Sequence, residues 1–171
     1  MFPRFIRAAA FAGLACAGIQ ASGADQLPVV PVDTEIRVRQ FLEAFINPDQ
    51  TPEQQATFFR EDVQYYGLGK PGRREIVRDI RHYAKRWPDR SYRLADIEFI
   101  RPDPGTDDVF VSYVVDFQVA SPERSIGGRA LYGAVITDLH TDPRITLIME
   151  KVPRRRSDLS AGTAAPATSG K

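Results

Sequence analysis

Cysteine is nearly absent from this sequence: Cys16 is the only one in 171 residues, so no disulfide can close within the chain. Histidine is almost as scarce, with His82 and His140 alone. Two imidazoles with no thiolate beside them argue against a structural zinc site, which draws on four Cys and His ligands. The expectation is therefore no metal, and nothing in the sequence calls for a cofactor. G-x-S-x-G, a phosphate-cradling glycine loop and H-E-x-x-H are all missing, which removes the nucleophile-elbow hydrolases, the P-loop nucleotidases and the zinc peptidases as readings. Long apolar runs are missing too. The longest, residues 8–19, falls short of the roughly 20 residues that a membrane-spanning helix needs.

That short run belongs to a recognisable leader. Arg4 and Arg7 precede it and the small residues Ala21, Ser22, Gly23 and Ala24 follow it, which is the pattern of a cleavable secretory signal peptide over residues 1–23. A lipoprotein reading would make Cys16 the acylated first residue. Gly13, however, stands where such a site wants a branched aliphatic side chain, so plain cleavage after Gly23 or Ala24 and a secreted or periplasmic product are expected. Residues 24–32 read as a Pro-bearing linker. Residues 154–171 are rich in Ser, Ala, Gly, Thr and Pro with no periodic apolar face, and are expected to be a disordered tail. Residues 33–153 remain as one domain.

Trimming changes the charge. The whole chain is +1, but six of its basic residues and Asp158 lie in the two ends, leaving 17 basic against 21 acidic groups in residues 24–153. A mildly acidic domain is a poor partner for nucleic acid, whose binding rests on neutralising phosphates.

Hydrophobic periodicity sets the elements. Val38, Phe41, Leu42 and Phe45 recur at helical spacing behind Asp33 or Thr34 as a cap, and Asn47-Pro48 closes that helix. Thr51, Pro52 and Gln54 write a capping box for a short second helix reaching to about Phe59. "DVQYYG" reads as a short strand. Ile76, Ile80, Tyr83 and Trp87 line one face of a third helix, with Arg74, Arg78, Arg81 and Lys85 solvating its back and Pro88 ending it. Four strand-like runs follow, at residues 92–101, 109–119, 129–139 and 145–152, separated by Pro- and Gly-bearing turns. The expected class is α+β, with three N-terminal helices packed on a curved antiparallel sheet.

The densest chemistry lies in residues 65–94, with five aromatic rings and nine Lys or Arg residues. Asp79 sits at the margin of the third helix's apolar face, beside Glu75, His82 and Arg86. It reads either as a general base or ligand-orienting carboxylate, or as the partner of Arg86 or Arg90 in an ion pair. Asp116 alternates with Phe110, Ser112, Val114 and Gln118, opposite the apolar set of its strand, and is expected to point away from the helices unless a bulge reverses it.

Helix, short helix, strand, third helix and a long strand meander, with "YYG" before the third helix and "RWPDRSY" after it, resembles the nuclear-transport-factor-2-like superfamily of SnoaL-type cyclases and ketosteroid isomerases, in particular an extracytoplasmic bacterial subgroup. The resemblance covers residues 33–153. It implies a cone-shaped roll with an apolar cavity between helices and concave sheet, and a two-fold homodimer through the sheet's other face. Tyr65 or Tyr66, Asp79, Tyr83 and Trp87 are then the ligand-binding candidates. The first helix presents Phe41, Leu42 and Phe45 with no Tyr or Asp among them, so an isomerase-type acid–base set is incomplete, and no catalytic residue is assigned. Two functions follow as expectations: a non-catalytic domain binding a small apolar or amphipathic molecule, or an extracytoplasmic protein partner; and, as the alternative, a cofactor-free isomerase, cyclase or dehydratase using Asp79 and a Tyr. Neither involves nucleic acid or stable membrane insertion once the leader is removed.

Overall fold

A computed structural model describes residues 30–151. The leader with Cys16, most of the linker, and the tail lie outside the described residues. Within them the chain forms α1 (Val32–Phe45), α2 (Pro52–Ala56), β1 (Phe59–Tyr65), α3 (Arg73–Arg86), β2 (Asp89–Pro102), β3 (Val109–Ser121), β4 (Arg124–Thr137) and β5 (Arg144–Lys151). The class is α+β.

The helices follow their sequence signals with two corrections. In α1, Val38, Phe41, Leu42 and Phe45 are buried together with Thr34; full burial of a side chain such as Leu42 contributes about 1.5–3 kcal/mol. Its N-cap is Pro31, with no side-chain cap bond, rather than Asp33 or Thr34. Proline's fixed φ lets the chain enter the helix two residues early. In α2 both halves of the capping box form: the Gln54 amide donates to Thr51 Oγ1 at 3.1 Å and the Thr51 amide to Gln54 Oε1 at 2.9 Å. The helix stops at Ala56 because Phe59 already pairs into the sheet. The helical layer is thus two fourteen-residue helices and a five-residue one, with α3 following β1. At the start of α3, Glu75 reaches back to accept from the Gly72 amide at 3.2 Å. Trp87 leaves helical geometry at φ −127°, ψ 79°, as a residue before proline must.

The sheet runs in the order β1-β5-β4-β3-β2. β2 to β5 form the antiparallel meander, but β1 pairs with β5 in parallel, so the sheet is mixed rather than wholly antiparallel. The cause is topological. Three reversals separate β2 from β5, and the connection through α3 makes β2 run opposite to β1, so β5 arrives beside β1 in the same direction. One face carries the core: Val109, Val111, Tyr113, Val115, Ala134, Ile136, Ile145 and Ile148 are buried against α1, β1 and Ile76 of α3. On the other face Phe99, Phe110 and Met149 remain exposed. Asp116 lies on that outer side, held by Arg129 Nε at 2.8 Å and by Arg93. The hydrogen bond from Arg129 holds its carboxyl below the usual range.

Candidate functional site

A cavity of about 700 Å³ lies between the helices and the concave face of the sheet. Its inner wall is one cross-strand row: Tyr113 of β3 faces Tyr132 of β4, which faces Glu150 of β5. The Tyr113 and Tyr132 rings stack at 5.5 Å and 25°, and Tyr132 hydrogen-bonds the Glu150 carboxyl. Burial pushes Glu150 above its ordinary value, opposed by that bond. The aromatic chain continues through Phe59, Tyr65 and Tyr66, with Phe59 edge-on to Tyr65 at 5.2 Å and Tyr65 edge-on to Tyr66 at 4.7 Å. Tyr66 sits just past β1 at φ 43°, in a turn completed by Gly67 and Gly69 at φ 75° and 79°, where a residue with a Cβ is strained. Its hydroxyl is buried with no hydrogen-bond partner among the described residues.

Asp79 faces the cavity from α3 and accepts a hydrogen bond from Tyr65 at 3.1 Å. Arg90 donates to the carbonyls of Pro48 at 3.2 Å and Trp87 at 3.4 Å, while Arg86 lies over the Trp87 ring at 5.5 Å. The Tyr65–Asp79 bond also divides the main cavity from a smaller pocket bordered by Leu68, Lys70, Glu75 and His82. One helical turn on, Tyr83 shares a hydrogen bond between hydroxyls with Tyr92 of β2. Burial raises every one of these tyrosines above the ordinary phenol value, and it is the largest cause in each case. They are neutral hydrogen-bonding groups at physiological pH.

Trp87 is 4% exposed and lines the cavity near its mouth. The mouth is marked by lining residues that are themselves exposed: Asn47 after α1, Arg86 at the end of α3, and Arg124, Gly127 and Gly128 of the β3–β4 hairpin. The Arg124 guanidinium lies 4.8 Å from the Trp87 ring centroid.

Tyr65, Asp79, Tyr83 and Trp87, the residues singled out from sequence, therefore line one cavity. Sequence reasoning missed Tyr92, Tyr113, Tyr132 and Glu150. The signal for Glu150 was a carboxylate two residues after Ile148 at the end of an apolar strand, on the same face as that buried side chain. Among the described residues there is no group of three His, Cys, Asp or Glu able to hold a metal ion, and no helix is long and apolar enough to cross a membrane.

No family model matches the sequence, and no curated protein does. Solved structures do resemble the fold. Aln2 from a Streptomyces species superposes with a TM-score of 0.61 at 14% identity, over 71% of this chain and 92% of its own. A Novosphingobium aromaticivorans protein provisionally named a scytalone dehydratase gives 0.59 at 17%, over 72% and 89%. An uncharacterised Caulobacter vibrioides protein with a cystatin-like fold gives 0.57 at 15%, over 72% and 92%. Likeness at these identities establishes a shared nuclear-transport-factor-2-like fold and nothing finer.

Proposed function

Starting from a nuclear-transport-factor-2-like fold, we propose that the chain is an extracytoplasmic, non-catalytic binding domain whose cavity holds a small apolar or amphipathic molecule. One observation carries this reading: all six tyrosines of the sequence and its single tryptophan line the same cavity. Rings that merely filled a core would be distributed through it. Here they wall a space of the size that ligand pockets occupy, with a few polar groups converging on it. The hydroxyls suit recognition better than proton transfer, because burial moves them further from the pH at which they would ionise. The leader supports the compartment. The exposed outer face of the sheet supports a two-fold dimer that leaves the cavities free. Thermal shift against a panel of aromatic, steroid-like and aliphatic compounds tests the reading, since a ligand raises stability as RT ln(1 + [L]/Kd). A panel that shifts nothing at concentrations of about 1 mM would sink it.

A second reading, a cofactor-free isomerase, cyclase or dehydratase, is favoured by two carboxylate–tyrosine pairs on the cavity wall, Asp79 with Tyr65 and Glu150 with Tyr132. The Novosphingobium neighbour's provisional name points to the same class for that protein. Turnover of a bound compound that is lost in Asp79→Asn or Glu150→Gln, with binding retained, would put this reading first.

A further inference from the structure

Charge is distributed unevenly along the cavity. The carboxylates that line it, Asp79 and Glu150, belong to the tyrosine end. The other end is reached along β3 from Tyr113 to Val119, six residues or roughly 20 Å of extended strand. There the lining includes Val119 and Ile126, a cross-strand pair, with Arg124, Trp87 and Arg90 around them.

The two arginines are set differently. Arg90 is half-buried and fixed by single bonds to two backbone carbonyls, which leaves most of its five N–H donors uncommitted. Arg124 is exposed, its guanidinium placed over Trp87 rather than over an acid. Among the described residues no carboxylate lies within ion-pair distance of either. Arg129, close by in sequence, is by contrast committed to Asp116 on the outer face. Guanidinium groups are weakly hydrated and present planar forks that match a carboxylate or sulfonate.

We infer that the cavity selects amphipathic anions, with the apolar body among the tyrosines and a carboxylate- or sulfonate-like head between Arg90 and Arg124 at the mouth. This rests on the binding reading above and narrows it to a ligand class. The apolar stretch between the two ends keeps the head away from Asp79 and Glu150, so orientation is set by repulsion at one end as well as attraction at the other. Stacking on Trp87 holds the Arg124 fork in place before a ligand arrives, which reduces the ordering cost of binding.

A matched pair of fluorescent probes tests the inference on the intact protein: 8-anilinonaphthalene-1-sulfonate and N-phenyl-1-naphthylamine differ only by the sulfonate. Energy transfer from Trp87, the sole tryptophan, reports occupancy beside it. The sulfonate is expected to bind at one site per chain about tenfold more tightly than the neutral probe, with an advantage that shrinks as salt rises. Arg124→Gln should remove most of that advantage without changing neutral-probe affinity, and Arg124→Lys should restore part of it. Equal affinity for the two probes overturns the inference, as does an advantage indifferent to Arg124→Gln in a variant that melts like the parent. Binding of the neutral probe alone defeats the anionic head and leaves the binding reading standing. Binding of neither probe counts against both.

Discussion

Tyr65 donates its hydroxyl to Asp79 across 3.1 Å, joining the last residue of β1 to the middle of α3 at the wall of the cavity. A carboxylate acceptor makes this stronger than a neutral hydrogen bond. Asp79→Asn keeps the shape and an acceptor oxygen but removes the charge, so it should cost about 1 kcal/mol in urea unfolding, and Tyr65→Phe a similar amount. The double variant should cost clearly less than the sum, because the two single changes weaken or remove the same interaction. Full additivity would mean that the bond contributes nothing to folding.

The two faces of α3 should respond oppositely to truncation. Trp87 is buried at the cavity wall, and Trp87→Ala should cost about 3–5 kcal/mol. Arg78 is exposed and meets Glu75 at 3.6 Å on the surface, so Arg78→Ala should stay within about 0.5 kcal/mol. Chemical denaturation of the two variants decides it.

Glu150 gives the fold a pH dependence of definite sign. Its folded pKa is raised by burial, so between the unfolded and folded values the native state holds more protons than the unfolded chain, and stability falls as pH rises through that window. The tyrosines around it, Tyr132 and Tyr113 from neighbouring strands, Tyr66 from the turn after β1 and Tyr83 from α3, are neutral there. Glu150→Gln should therefore raise the melting temperature at about pH 8, with the gain vanishing near about pH 4, where the parent carboxyl is protonated too. A loss at the higher pH would show that the charged form is the stabilised one.

The outer face of the sheet should carry self-association. Phe99 and Phe110 meet edge-on at 6.0 Å, and Val114 and Leu131 pair beside them, as do Gly133 and Met149. Exposed apolar patches on a single chain commonly mark surfaces that associate. Light scattering at micromolar concentration should give twice the chain mass, and Phe110→Asp should give one chain mass with the melting curve otherwise preserved. One chain mass for the parent would rule the dimer out.

Export makes the plainest expectation. Expressed with its leader in a bacterial host, the protein should be recovered outside the cytoplasm and begin at Ala24 or Asp25. Intact mass distinguishes this from a product starting at Met1 or at a lipidated Cys16.

Elements defined by local chemistry were legible in the sequence, and those defined by pairing were not. The Thr51–Gln54 box, the Ile76 face of α3 and the outward position of Asp116 all follow from spacing within a few residues. The parallel partner of β1 depends on a strand far along the chain. The row of Tyr113, Tyr132 and Glu150 exists only once three strands are in register, so no window of sequence contains it. Leu139 shows how alternation misleads. Counted from Leu131 and Val135 it belongs to the outer face, yet it is buried in the core, because β4 ends at Thr137 and Asp138 turns the chain at φ 53°. In β5 the register shift opposite Val135 and Ile136 puts Ile145 and Ile148 on one side, which strict alternation forbids.

The parallel β1–β5 ladder also sets an order of events. Phe59 finds its partner in Ile145, 86 residues later, so this edge carries a larger loop-closure cost than the local hairpins and is expected to close after them. Tyr65 and Tyr66 come from the first side of that seam and Glu150 from the other. Until β5 is in place, the chain has the Tyr65 and Tyr66 side of the cavity wall without the Glu150 side. The cavity is thereby completed only when β5 has paired with both β4 and β1.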